Sequence, residues 1–158
     1  MTGLDKQTLR PIPLKGSEIP LLGRTGCQRE GVGDLPATQV EVSLYLRRKG
    51  SSPGLPGLEE MGDIPPLLQK HLSHREFEEL HGADPNDVET IRTFAARNNL
   101  EFVSYNLARR WVRLKGKMSD IAAVFGVTFA LYRHQGRSFR GHTGEVHIPA
   151  QLADIVTG

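Results

Sequence analysis

The stretch from Arg109 to Val127, RRWVRLKGKMSDIAAVFGV, leaves the chain few ways to fold. Val112 and Leu114 alternate with Trp111 and Arg113, which is the period of a half-buried strand. A glycine-containing turn follows. Ile121, Val124 and Phe125 then share one side of a short helix, and Gly126 suits the left-handed residue that ends it. A strand that feeds so directly into a helix packs that helix back on its own sheet. Val112 and Leu114 belong under the helix, and Trp111 and Arg113 fall on the opposite face.

The rest of the chain supplies partners for this unit. Val40 to Arg48 alternates Val40, Val42, Leu44 and Leu46 with Glu41, Ser43, Tyr45 and Arg47, which predicts a second strand. The loop GSSPGLPGLEEMGD at 50–63 is dense in Gly, Pro and Ser and reads as mobile. Pro65 and Pro66 open a short helix through Leu67, Leu68 and Leu72. Ser73 and Glu76 form a capping box, Phe77 and Leu80 are expected to face inward, and Gly82 is expected to stop that helix in the left-handed conformation. Asp84-Pro85 caps and opens the next helix, whose buried face is Val88, Ile91, Phe94 and Ala95. Leu100 to Asn106 is another strand. Val127, Phe129 and Leu131 predict a fourth, with Ala130 and Tyr132 on its reverse. Phe139 returns as a short strand that Gly141 and Gly144 break, Glu145 to Ile148 is extended, and Pro149 opens a terminal helical turn.

This order predicts an α+β fold: a ferredoxin-like split βαββαβ antiparallel sheet with its helices on one face. The domain is expected over 39–158. Residues 1–38, with four prolines and no lasting period, read either as an extended N-terminal arm lying on the domain through Ile12, Leu14, Leu21 and Leu22, or as a disordered leader.

Composition excludes several function classes. The formal net charge of +2 is too small to argue for nucleic acid. One cysteine, Cys27, permits neither an intrachain disulfide nor a cysteine-based zinc site. No apolar run approaches the roughly 20 residues that span a membrane, and no secretory signal is visible at the N-terminus. No phosphate loop or nucleophile elbow occurs. His71, His74 and His81 read as surface histidines rather than metal ligands, and Asp84 and Asp87 as capping rather than paired acids. The sequence therefore assigns no catalytic, cofactor-binding or metal residue.

What stands out is the face expected to be open. Tyr45, Arg47, Tyr105, Trp111, Arg113 and Tyr132 fall on it by alternation, joined by Val103 and Ala130. Solvated sheet faces favour Thr, Lys and Glu, whereas Tyr, Trp and Arg dominate protein–protein hot spots. These six residues are the candidate partner interface, unless the arm or the 50–63 loop covers them.

Three segments carry a family resemblance: VSLYLRRKG, SHREFEELHGADPNDVETIRTFAARNNLEF and RRWVRLKGKMSDIAAVFGVTFALYRHQGRSFRGHTGEVHIPAQLADIV. The second holds Phe77, His81-Gly82-Ala83, Asp87, Phe94-Ala95 and Leu100, and the third Phe125-Gly126-Val127, Phe139-Arg140, Gly144, Val146 and Pro149. Together they resemble the activation prodomain of the sedolisin peptidases, nearest the kumamolisin-like branch, over roughly 40–157. The resemblance implies a ferredoxin-like propeptide that assists folding of a serine-carboxyl peptidase domain, in cis or in trans. It also implies that the propeptide inhibits that domain and is removed in acid, and that the parent peptidase is extracellular. The catalytic residues and calcium site of the family lie in the downstream domain, so none is carried onto this chain. Two other readings remain: an RNA-binding module that stacks bases on Tyr45 and Trp111, and a stand-alone peptidase inhibitor.

Overall fold

The computed structural model describes residues 11–19, 26–50, 52–54, 57, 62, 65–68 and 71–158. Leu21, Leu22 and most of the 50–63 loop lie outside these residues. The described strands are β1 (Ile12–Pro13), β2 (Gln28–Gly31), β3 (Gln39–Tyr45), β4 (Glu101–Asn106), β5 (Trp111–Lys117), β6 (Thr128–His134), β7 (Arg137–Thr143) and β8 (His147–Ile148). Three α-helices are described: α1 (His74–His81), α2 (Pro85–Arg97) and α3 (Met118–Phe125). The fold is α+β with antiparallel sheets.

The central sheet has the order β3-β5-β4, antiparallel throughout. Both α2 and α3 pack on one face of it. Val88, Ile91, Phe94 and Ala95 of α2 and Ile121 and Phe125 of α3 join Leu44, Val112 and Leu114 in one core. Leu46, Ile91, Leu114 and Ile121 are among the largest side chains fully withdrawn from water. Each such burial stabilises by about 1.5–3 kcal/mol relative to exposure. Three of the helix ends follow the expected chemistry. Ser73 and Glu76 close a capping box, the Asp84 side chain accepts from the Asn86 N–H, and Gly126 ends α3 at φ 65°.

The fourth strand departs from expectation. It does not complete a four-stranded sheet with β3, β5 and β4. Instead β6 pairs with β2 and β7 in a second sheet of order β2-β6-β7. Residues read as part of the arm are thus built into a sheet. Glu30 bulges between Arg29 and Gly31 and holds both neighbouring strands, through Arg133 at 2.6 Å and the Ser138 hydroxyl at 3.0 Å. β7 also runs through Gly141 instead of breaking there, because Gly141 pairs with Ala130 in the β6–β7 hairpin. Gln135 and Gly136 turn that hairpin at φ 50° and 77°, the signature of a tight two-residue turn. β1 pairs with β8, so the described part of the arm, 11–19, is tied to the domain.

Around α1 the structure also differs. Phe77 and Leu80 are 41% and 39% exposed rather than inward-facing. Gly82 is extended (φ −68°, ψ 174°), not left-handed. Its role is steric: a β-carbon there would overlap the Glu78 carbonyl oxygen. The short helix expected after Pro65 is a 3-10 turn, Pro66–Leu68, with Leu67 fully in solvent.

Candidate functional site

The face of the β3-β5-β4 sheet opposite the helices is arranged in rows by its register. Tyr45 lies across from Trp111, and Trp111 across from Asn106. The next row is Ser43, Arg113 and Ser104, and the next Glu41, Lys115 and Glu101. Directly opposed residues share a face. The aromatic groups therefore gather at one end and the charges at the other. Tyr45 is 54% exposed, Trp111 is half-buried, and Arg113 is exposed with its guanidinium carbon 4.8 Å from the Trp111 ring centre. That cation–π contact holds Arg113 over the indole. Tyr45, Trp111 and Arg113 form one patch: a flat apolar surface with a fixed positive edge.

The other three candidates lie elsewhere. Tyr105 was expected on the open face by counting from Phe102. A bulge between Phe102 and Ser104 resets the alternation, so Tyr105 opposes the core residue Val112. Its ring instead sits 6.0 Å from that of Phe102, over which the guanidinium of Arg92 from α2 lies. Ser104 and Asn106 take the open-face positions. Tyr132 is 4% exposed, inside the second sheet and stacked on Phe139. Ala130, also expected on the open face, is wholly buried. Arg47 lies beyond the end of β3 and reaches the helix layer, where Nε and Nη2 donate to the two carboxylate oxygens of Asp87 at 2.9 and 3.1 Å. The hydrogen bond from Arg47 to Asp87, and then the charge of Asp87, raise the Arg47 pKa above its ordinary value.

Sequence reading missed two polar contacts. Asp87 was read only beside the Asp84 cap, yet it is buried and holds Arg47 across forty positions of sequence. His81, read as a surface histidine, is buried, and its Nδ1 lies 3.2 Å from the Ser52 hydroxyl. No local spacing links either pair. Lys49 N–H donates to the Gly82 carbonyl close by, so the Ser52–His81 contact fastens the start of the loop to the end of α1. Among the described residues no group of three or more His, Cys, Asp or Glu side chains could hold a metal ion. No described helix is long and apolar enough to cross a membrane.

By its geometry the chain is a small α+β domain that presents an aromatic, arginine-edged sheet face. Comparison with known proteins specifies which kind. Residues 32–158 match the family described as "Pro-kumamolisin, activation domain", and the chain belongs to that family. It is similar to kumamolisin from Bacillus sp. (strain MN-32), 27% identical over 118 residues, covering 75% of this chain and 21% of kumamolisin. It is similar also to tripeptidyl-peptidase sed5 from Aspergillus fumigatus, 25% identical over 136 residues, covering 77% of this chain and 23% of the relative. The chain thus spans about a fifth of the length of the curated relatives it matches.

Four of the residues that carried the resemblance have structural roles. Gly82 admits no β-carbon, Ala83 is buried and its N–H donates to the Leu107 carbonyl, Asp87 holds Arg47, and Gly126 ends α3.

Proposed function

We propose that this chain is the propeptide of a kumamolisin-type serine-carboxyl peptidase, that it assists folding of the catalytic domain and inhibits it, and that acid releases it. The parent peptidase acts outside the cell on this reading, with its catalytic residues and calcium site in the catalytic domain. The β3-β5-β4 core with α2 and α3 on one face represents three strands of a ferredoxin-like sheet whose fourth strand has joined the second sheet.

The observation that carries the reading is the Tyr45–Trp111–Arg113 patch on a sheet face that no described segment of the chain packs across. A tryptophan held flat by an arginine offers a large rigid contact area with little side-chain entropy left to lose. Carboxylates on the partner would pair with Arg113 near neutral pH. Acid would protonate them and remove the pairing, since a carboxylate beside arginine ionises at lower pH than usual and its contribution is lost as pH falls through that lowered value.

The test is inhibition. Added to a kumamolisin-type catalytic domain, the chain should suppress peptide hydrolysis near pH 7 and lose its grip near pH 4. Equal potency at both values would reject the acid-release step, and no inhibition at either would reject the inhibitor reading.

One observation favours a second reading. Tyr45 and Trp111 lie side by side on the first and third strands of the central sheet, as base-stacking residues do in RNA recognition motifs. Glu41 and Glu101 on the same face oppose a phosphate backbone. Quenching of Trp111 fluorescence by single-stranded RNA at moderate salt would support this reading, and absence of quenching would end it.

A further inference from the structure

The strands β2, β3, β4 and β7 form the edges of the two three-stranded sheets. Three of them carry features that hinder pairing with another chain. β3 is bonded at its end by 155–158, through the Leu46–Val156 bridge and the N–H groups of Tyr45 and Arg47. β2 carries Arg29 and Glu30, and β7 carries Arg137 and Arg140. β4, EFVSYN, has no lysine, arginine or proline, and its one charge, Glu101, stands at its start. Val103 and Tyr105 on it are 40% and 48% exposed, so this edge lies open to solvent.

The ladder shows which backbone groups of β4 point outward. Leu46 N–H donates to the Arg110 carbonyl, so the even-numbered residues of β5 bond toward β3 and the odd-numbered ones toward β4. Glu101, Ser104 and Asn106 oppose Lys115, Arg113 and Trp111, and are therefore the inward-bonding residues of β4. Phe102 and Tyr105 oppose Leu114 and Val112, so their N–H and C=O groups point away from β5. No described residue bonds to them on that side. A bulge often spoils an edge, but this one takes Val103 into the inner ladder. Phe102 and Tyr105 thus stand one repeat apart on the outer side, as in a regular strand.

The two ends of this strand are opposite in charge. Glu101 begins it, and Arg109 stands in the turn just past Asn106, its N–H bonded to the Asn106 side chain. Both are exposed, and neither has an ion-pair partner among the described residues. Such a strand is complementary to itself when turned end for end. We propose that two copies of this chain associate through β4, antiparallel about a two-fold axis at the bulge, with Phe102 of each copy opposite Tyr105 of the other. In that register the outward N–H and C=O groups of both residues find partners. Glu101 of one copy lies opposite Asn106 of the other, beside the turn that carries Arg109, and no like charges are opposed. Val103 and Ser104 of the two copies meet at the axis. On the helix side the Arg92 guanidinium already lies 3.9 Å from the Phe102 ring centre, and Phe102 stands 6.0 Å from Tyr105, so pairing brings two such clusters into one aromatic row. The contact is isologous and joins the two β3-β5-β4 sheets into one. It leaves Tyr45, Trp111 and Arg113 of each copy uncovered, so the inference is independent of the proposed function.

The test is the association state of the whole chain from micromolar to millimolar concentration, by analytical ultracentrifugation, with amide hydrogen exchange at the same concentrations. The mass should rise from that of one chain toward that of two. The amides of Phe102 and Tyr105 should exchange at least about tenfold more slowly at the high end, as new main-chain hydrogen bonds require. Tyr105→Pro removes an outward N–H without touching the β5 ladder, and Val103→Lys sets two like charges together at the axis. Each should remain a single chain with an unchanged circular dichroism spectrum. Val103 is exposed, so the lysine variant decides the matter even if the proline variant does not fold. A single chain at millimolar concentration would overturn the proposal. So would a dimer in which these two amides stay unprotected, or association of Val103→Lys equal to that of the unaltered chain. Full protection of both amides in dilute protein would mean that the chain fills its own edge. Protection that appears only with an added catalytic domain would mean that a peptidase is the occupant. Either result would also overturn it.

Discussion

At the scale of single residues, Trp111 and Arg47 show how alike two candidates look in sequence and how differently they end. Alternation puts both on strands at outward positions. Trp111 meets Tyr45 across the sheet and carries Arg113 on its face, with no further task in the core. Arg47 is spent inside the molecule on Asp87. Arg47→Ala should therefore lower the denaturation midpoint, because it leaves a buried carboxylate without its partner, while leaving peptidase binding at neutral pH unchanged once folded. Equal loss of binding and stability would contradict this division. The hydrogen bond to Asp87, and then its charge, hold the Arg47 pKa above its ordinary value, so what the guanidinium contributes is present at all ordinary pH and is lost only as pH rises through the raised value. Acid therefore does not act on this pair through the arginine. Alternation identified Tyr45, Trp111 and Arg113 correctly as open-face residues. It failed for Tyr105 because one extra residue in β4 shifts the phase, and nothing local in EFVSYN announces that bulge. It failed for Tyr132 because period two says which side of a strand a residue takes, not which sheet the strand joins.

At the scale of elements, the parts read well were those whose stability is local. The caps of α1 and α2, the buried stripe of α2 and the glycine stop of α3 each depend on residues within one or two turns, and each is present as expected. Ser73→Ala should cost about 1 kcal/mol of helix stability by removing the capping box. The loss should appear as faster amide exchange in α1 alone, since every α1 residue but His81 is exposed and the helix opens without the core. A uniform drop across the domain would show that α1 is more integral than its exposure implies. Gly126→Ala should cost about 1 kcal/mol by placing a β-carbon at φ 65°, where His147 also crowds it, and would be read as a shift in urea midpoint. The parts read poorly were non-local. Pairing of β2 with β6 spans a hundred residues and rests on Glu30 reaching Arg133 and Ser138. The QREG sequence has no alternating apolar residues to mark it as a strand. Phe77 and Leu80 were misjudged because amphipathic spacing shows that a helix has an apolar side, not that this chain covers it.

At the scale of the whole molecule, the domain presents two unlike surfaces. One is the flat aromatic patch on the central sheet, and the other is the outer edge of β4. Family membership identifies the domain as an activation domain, and the proposal puts its contact with a peptidase at the patch. The most direct test of that account is the affinity of the chain for a kumamolisin-type catalytic domain near pH 7, measured by calorimetry for the unaltered chain and for Trp111→Ala. Circular dichroism would confirm that both are folded. The account predicts tight binding by the unaltered chain and a loss of about 2 kcal/mol, roughly thirtyfold, for the variant. Equal affinity of the two would contradict it.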